Sequence, residues 1–344
     1  MELGVYSFGD VQQYNGKLGS TSEAITNLLE AITVADKVGL DFFGVGEHHT
    51  EYFPASSPST ILAAAASVTK HIILSSAVSV LSTDDPVRVY QQFATANIIS
   101  KGRVEIIAGR GSSTESFPLF GYDLQNYDEL YKEKVELLLK INNSKDIRIT
   151  WEGKFRPALH NIEIVPRSEK PLNIWLATGG NPGSSVRAAQ LGIPIAYAII
   201  GGHMSRFVPL VELYRQAARQ LDVSEEKIKV AIASPGYIAE DPQDAKDTFW
   251  KAWNSAMTTL GKVRGFPPPT RSHYDYEANG DGALFAGTPK EIADRIIALY
   301  RKIKHSRHFF QMDVGQLPHA KYLKAITLLG TEVAPRVREA LKHE

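Results

Sequence analysis

Three short stretches concentrate groups capable of chemistry. Glu47-His48-His49 offers a carboxylate and two imidazoles, side chains that hold and move protons near neutral pH. Gly109-Arg110-Gly111-Ser112-Ser113 offers a guanidinium, backbone amides and hydroxyls, the groups an anion needs. Gly179-Gly180-Asn181-Pro182-Gly183-Ser184 leads into a helix start, where exposed amides and the helix dipole favour a phosphate. Each has a plainer reading. Consecutive residues at a strand end point in alternating directions, so His48 and His49 are poorly placed for one metal, and HExxH is absent. The triplet is then an acid or base group, or simply a set of satisfied polar residues. The two glycine-rich stretches are anion cradles or ordinary turns. Neither GxxxxGK[ST] nor GxGxxG occurs, which argues against an ATPase or a Rossmann dinucleotide site. Ser75-Ser76-Ala77-Val78-Ser79 is a run of small residues that lets a flat ring approach the backbone, or fills a crowded packing layer.

The elements that must position these groups follow from periodicity. Strands are predicted at 3–8, 41–50, 72–80, 104–108, 173–177, 193–200, 229–239 and 308–314, from short apolar runs bounded by turn residues. Helical spacing separates them. Ser20-Thr21-Ser22-Glu23 has capping-box spacing ahead of Ile25, Leu28, Leu29 and Ile32, and Thr288-Pro289-Lys290-Glu291 repeats the device. Ser57-Pro58 and Asp85-Pro86 have N-cap and first-turn character. Further helices are predicted over 127–141, from Ser184 to near Gly192, over 207–221 and 245–260, and from Tyr322 toward Leu341. Residues 148–165 break the alternation as a β-hairpin around Glu152-Gly153. Residues 264–286, rich in Pro, Gly and Tyr, lack a clear period and suit a lid. Eight strands alternating with about eight helices indicate an α/β (β/α)8 TIM barrel, read as one domain over 1–344, with a doubly wound sheet as the structural alternative. In a barrel the loops after the strands share one face, so the three stretches would converge there.

Composition sets limits on function. With 344 residues, 43% hydrophobic, 22% charged and a formal net charge of +0, a nucleic-acid or membrane-surface role gets no electrostatic support. The absence of cysteine removes disulfides and thiolate chemistry. No run of about 18 apolar residues occurs, and the strand-like start Met1-Glu2-Leu3-Gly4-Val5-Tyr6 has no leader character. A cytoplasmic protein without bound metal is expected.

Order and spacing of several motifs resemble the bacterial luciferase-like flavin-dependent monooxygenase family. The marks are Glu47-His48-His49, then Ser76-Ala77-Val78-Ser79-Val80-Leu81 with Pro86-Val87-Arg88, and Lys101-Gly102-Arg103 leading to Gly109-Arg110-Gly111. Phe120-Gly121, Gly179-Gly180 with Ala188-Ala189 and Gly192, and Gly287-Thr288-Pro289-Lys290-Glu291 complete them. The resemblance implies a barrel that binds reduced FMN at its C-terminal face and forms a flavin C4a-peroxide with O2. By the same carry-over, His48 is the active-site histidine, with Glu47 beside it. Ala77 and Val78 match a pair joined by a cis peptide behind the isoalloxazine ring. Arg110 and Gly111 match residues near the ribityl-phosphate, and Gly179, Gly180 and Ser184 match the phosphate turn. Two departures stand out. Luciferase has a reactive cysteine where this chain has Gly109, and a second phosphate-contacting arginine where this chain has Asp128; neighbouring Tyr127 is the expected hydroxyl donor instead.

The function so implied is an FMN-dependent monooxygenase that oxygenates a small organic substrate with O2. It would take reduced FMN from a separate NAD(P)H:flavin reductase and assemble as a homodimer or homotetramer. A coenzyme F420-dependent dehydrogenase on the same barrel and a non-catalytic flavin-binding protein are the alternatives. Tyr6, Phe8, Phe53, Tyr274 and Tyr276 are candidates for the substrate pocket or for plain packing.

Overall fold

Eight strands pair side by side, all parallel, until the sheet meets itself. In the computed structural model, which describes residues 1–14, 17–111, 113–315 and 317–344, they are β1 (Glu2–Ser7), β2 (Phe42–Val45), β3 (Ile73–Ser76), β4 (Val104–Gly109), β5 (Asn173–Thr178), β6 (Ile195–Ala198), β7 (Val230–Ile238) and β8 (Arg307–Gln311). β8 pairs with β1 through Glu2↔Arg307, and β4 with β5 through Asn173↔Glu105, so the strands close as a barrel. The strands are apolar on both sides because one face fills the barrel and the other receives helices; β7 is buried at every position.

The principal helices between and after them are α1 (Thr21–Lys37), α2 (Pro58–Val68), α3 (Pro86–Ser100), α4 (Tyr127–Asn143), α5 (Pro182–Leu191), α6 (Val208–Gln220), α7 (Pro242–Arg264), α8 (Pro289–Ile303) and α9 (His319–Leu328), with a short helix, Ser116–Phe120, ahead of α4. Local sequence fixes their starts. The Ser20 hydroxyl accepts from the Ser22 and Glu23 amides, Asp85 accepts from those of Val87 and Arg88, and Thr288 with Glu291 forms a reciprocal capping box. Ser57 precedes Pro58 as expected, yet its side chain makes no cap; it pairs with the Thr60 hydroxyl at 2.8 Å. The 148–165 region is an antiparallel hairpin of Arg148–Trp151 and Leu159–Glu163. Beyond α9 the chain widens to a π-helical turn, Leu329–Val333, and continues helical over Ala334–Ala340.

Two regions differ from the expected pattern. The run 72–80 is not one strand: the Ala77–Val78 peptide is cis, β3 stops at Ser76, and Ser79–Val80 pairs instead with Ala108 and Gly109. The segment 264–286 is not bare loop. It contains a helix, Arg271–Glu277, and runs into a short strand, Phe285–Gly287, laid parallel to the end of β7. Tyr274 is fully buried against Trp250 and Trp253 of α7, and the Glu277 carboxylate accepts from the Gly202 amide in the loop after β6. That segment therefore docks along the β6–β7 side of the barrel.

Inside the barrel Tyr6, Phe42, Ile107, Trp175 and Phe309 pack against small Ala196, Ala231 and Ala233. The N-terminal end is closed by Arg307, 1% exposed, which donates to Glu2 at 2.6 Å and Glu105 at 2.8 Å and lies over the Phe42 and Trp175 rings. Burial disfavours its charge, and the two carboxylates more than restore it. A plugged N-terminal end leaves the C-terminal face for chemistry. Among the described residues no helix is long and apolar enough to cross a membrane.

Candidate active site

Glu47-His48-His49, Ala77-Val78, Gly109-Arg110-Gly111 and Gly179–Ser184 lie at or just past the C-terminal ends of β2 to β5. β2 delivers Glu47, whose amide donates to the Val78 carbonyl at 3.0 Å. Its side chain is buried and both oxygens are engaged, Oε2 by the Val80 amide at 2.8 Å and Oε1 by His49 Nε2 at 3.0 Å. Glu47 thus ties β2 to the chain beyond the cis peptide. The two histidines, beyond the end of β2, diverge. His49 turns to Glu47 and to the Phe120 ring, whereas His48 Nδ1 meets Glu115 Oε1 at 2.7 Å.

A carboxylate only accepts, so His48 Nδ1 carries the proton in that bond, and Nε2 is left to face a reacting group. The ring is walled by Phe8, edge-to-face at 4.5 Å, and by Phe53 at 5.2 Å. Burial pushes the Glu115 carboxyl up, but the His48 hydrogen bond and nearby backbone amides outweigh it and hold the group below its ordinary value. Glu115 was not among the residues expected from sequence. Its signal was an acid in the loop after β4, on the same face as His48.

The cis Ala77–Val78 peptide is wedged between glycines of both neighbouring strands. A Cβ on Gly44 would fall 2.5 Å from the Ala77 Cβ, and one on Gly109 would fall 2.6 Å from a Val78 methyl. Neither strand could approach this closely with any side chain.

Past β4 lies the anionic-ligand candidate. Arg110 donates to Asp128 Oδ1 at 2.5 Å and to Ser184 Oγ at 3.5 Å, and its guanidinium sits 5.4 Å from the centre of the Tyr127 ring. The Tyr127 hydroxyl donates to the Gly111 carbonyl at 2.6 Å, and its ring stacks on Phe117. Burial raises the Tyr127 pKa, so the group stays a neutral donor. Gly111 and Gly180 adopt φ of +84° and +109°, left-handed values that favour glycine. The Thr178 hydroxyl accepts from the Gly180 and Asn181 amides at 3.3 Å, and Asn181 caps α5 through the Gly183 amide at 2.8 Å. A Cβ on Gly179 would meet nothing within 4 Å, so the turn borders open space. Ser112, part of the same expected cluster, lies outside the described residues.

The structure therefore brings Glu47, Ala77, Val78, Gly109, Arg110, Gly111, Tyr127 and Ser184 into one chain of contacts, with His48 next to Glu47 in the chain and Gly179 and Gly180 adjoining Ser184 through the α5 cap. Of the pocket candidates, Phe8 and Phe53 flank His48, and Tyr6 packs on Phe8 from the barrel interior, with its hydroxyl 3.5 Å from Gln311 Oε1; the other two lie away from the site. Tyr274 packs outside the barrel on α7, and Tyr276 is 62% exposed with its hydroxyl on His203.

The luciferase-like monooxygenase family model matches residues 1–306. A luciferase-like monooxygenase of Escherichia coli (strain K12) is 25% identical over 269 residues, spanning 74% of this chain and 72% of that protein. The oxygenating constituent of 3,6-diketocamphane monooxygenase from Pseudomonas putida, a type II Baeyer-Villiger monooxygenase solved with FMN, has a TM-score of 0.77 at 18% identity, covering 98% of this chain and 99% of that one. An F420-dependent secondary alcohol dehydrogenase, solved with an F420-acetone adduct, has the same TM-score of 0.77 at 17% identity, covering 98% and 99%. Likeness at that level carries the barrel and does not choose between the two cofactors. With the family model matching most of its length, this chain belongs to the luciferase-like monooxygenase family.

Proposed function

We propose that the protein is an FMN-dependent monooxygenase that uses reduced FMN and O2 to oxygenate a small organic substrate. The observation that supports this most is the run of contacts from Glu47, which holds His49 and is followed in the chain by His48, through Val78 and Gly109 to the Arg110 guanidinium and Ser184 hydroxyl. It sets a proton-bearing group at one end and an anion-binding group at the other, with a side-chain-poor wall between them. Those groups suit a flavin: a flat ring against Ala77 and Val78, and a ribityl-phosphate toward Arg110, Gly111, Tyr127, Gly179, Gly180 and Ser184. When bound, reduced FMN would supply the electrons that activate O2.

The chain's own contribution is orientation and proton control. Glu115 fixes the His48 tautomer, leaving Nε2 to hold or accept a proton at the reacting atoms. Glu47, with both oxygens occupied, braces the wall and orients His49. Phe8 and Phe53 keep water from the imidazole. The 264–286 segment, docked beside the loop after β6, would shield the pocket while substrate is bound. Reduced FMN would come from a separate NAD(P)H:flavin reductase.

The test is a panel of aldehydes, alkanes and sulfonates incubated with the protein, 18O2 and reductase-generated FMNH2. One 18O atom in a product, lost in His48→Ala while FMN still binds, supports the proposal. Tighter binding of coenzyme F420 with O2-independent hydride transfer would replace it with a dehydrogenase. Normal flavin binding with no turnover in either assay would leave a flavin-binding protein.

A further inference from the structure

We propose that Asp128 is an internal counter-ion that competes with the cofactor's phosphate for Arg110, and so sets how loosely a phosphate-bearing flavin is held. The inference rests on reading this face as a flavin site. It starts from an imbalance between two helix starts. The first turn of α4 carries Asp128 and Glu129, whereas the first turn of α5, which presents Ser184, carries no acid. The Arg110 side chain lies between them, only 19% exposed, and donates 2.5 Å to Asp128 but 3.5 Å to Ser184. Its charge is thus answered from the α4 side, and the Ser184 side is left partly unmet. Glu129 does not share this duty, being paired with Lys154 at 2.6 Å.

A phosphate monoester carries about −1.5 to −2 charges near pH 7. Placed within hydrogen-bond reach of Arg110 and Ser184, it would sit beside a carboxylate that already holds the same guanidinium. Like charges at that separation repel, so the Asp128 side chain must turn away as the phosphate arrives. It is free to do so: its side chain is 66% exposed. Binding of FMN therefore includes breaking an ion pair, a cost that a flavin without phosphate does not meet. Asp128 narrows the preference for FMN over riboflavin and favours exchange of the cofactor.

Photoreduced FMN and photoreduced riboflavin, titrated anaerobically into wild type, Asp128→Asn, Arg110→Ala and the double variant and followed by protein fluorescence, test this. Asp128→Asn should tighten FMN about fivefold, the ceiling for a largely exposed ion pair, and leave riboflavin within about 1.5-fold. In the Arg110→Ala background the same change should move FMN by less than about twofold. An Asp128→Asn protein that binds FMN no better than wild type, or that gains equally for both flavins, overturns the counter-ion role while leaving the flavin site standing. Wild type that binds neither flavin overturns the site and this inference together. Equal melting temperatures for wild type and Asp128→Asn exclude a folding defect as the cause of either result.

Discussion

Replacing Gly109 by alanine isolates the contact that shapes the proposed ring-facing wall. The added methyl would lie 2.6 Å from one Val78 methyl, 3.0 Å from the Val78 Cβ and 3.2 Å from the other methyl. Carbon atoms pack at about 3.5–4.0 Å, so about 1 Å of overlap must be relieved. Little is free to yield. Ser79 and Val80 are held in register against Ala108 and Gly109, and the Val78 carbonyl is held by the Glu47 amide at 3.0 Å. Overpacking of this kind costs about 1–3 kcal/mol, and the rigid surroundings place Gly109→Ala near about 2–3 kcal/mol. For a chain of this size that lowers the melting temperature by roughly 3–4 °C. Val78→Ala removes both offending methyls and leaves only the Cβ at 3.0 Å, so Gly109→Ala in that background should recover about 1–2 kcal/mol. The assay is a double-mutant cycle in thermal or urea unfolding, with FMN titration alongside. An equal cost of Gly109→Ala with and without Val78→Ala would refute the claim that close approach to Val78 demands glycine.

Two further perturbations follow from individual groups. Glu115→Gln keeps the shape but removes the charge from the 2.7 Å bond to His48; losing a charge-assisted bond of about 1.5–3 kcal/mol should lower turnover by about tenfold or more with FMN affinity unchanged within about twofold. A parallel loss of FMN affinity would show that Glu115 shapes the pocket instead of orienting the imidazole. His305 is fully buried, neither ring nitrogen has a partner among the described residues, and burial, then the Arg215 and N-terminal charges, push its pKa down to about 3. A folded value below the unfolded 6.5 means that its contribution is complete above pH 6.5 and is lost as the pH falls toward 3. His305→Leu should therefore be near neutral at pH 8 and gain on wild type as the solution is acidified, by up to about 3 kcal/mol near pH 4. A stability difference that stays flat from pH 8 to 4 would contradict this.

The barrel was legible because its signal is repetitive. Apolar runs and helical spacing alternate along the chain, and caps such as Asp85 and Thr288 mark helix starts by chemistry that needs no tertiary partner. The placement of Glu47, His48, Arg110 and Gly179-Gly180 on one face followed from strand ends alone. What local patterns do not encode is pairing between loops. Glu115 reaches His48 across 67 residues, and Asp128 reaches Arg110 across 18. The strand break at Ala77–Val78 was hidden inside an apolar run, and motif resemblance, not periodicity, flagged it. Gly109 is instructive in another way. It read as a departure from the pattern that the resemblance implied, and the structure gives it a packing reason in Val78. The 264–286 segment looked structureless because its order comes from tertiary contacts, chiefly Tyr274 buried against the tryptophans of α7.

The central claim is that a reduced flavin binds across the ends of β2 to β5, with its phosphate on Arg110. Its most direct test is anaerobic titration of photoreduced FMN into wild type and Arg110→Ala. Saturable binding by wild type that weakens about tenfold or more in Arg110→Ala is the expected result, the loss of a charge-assisted phosphate contact. Equal affinity in the two proteins, or no saturable binding by wild type, would contradict it.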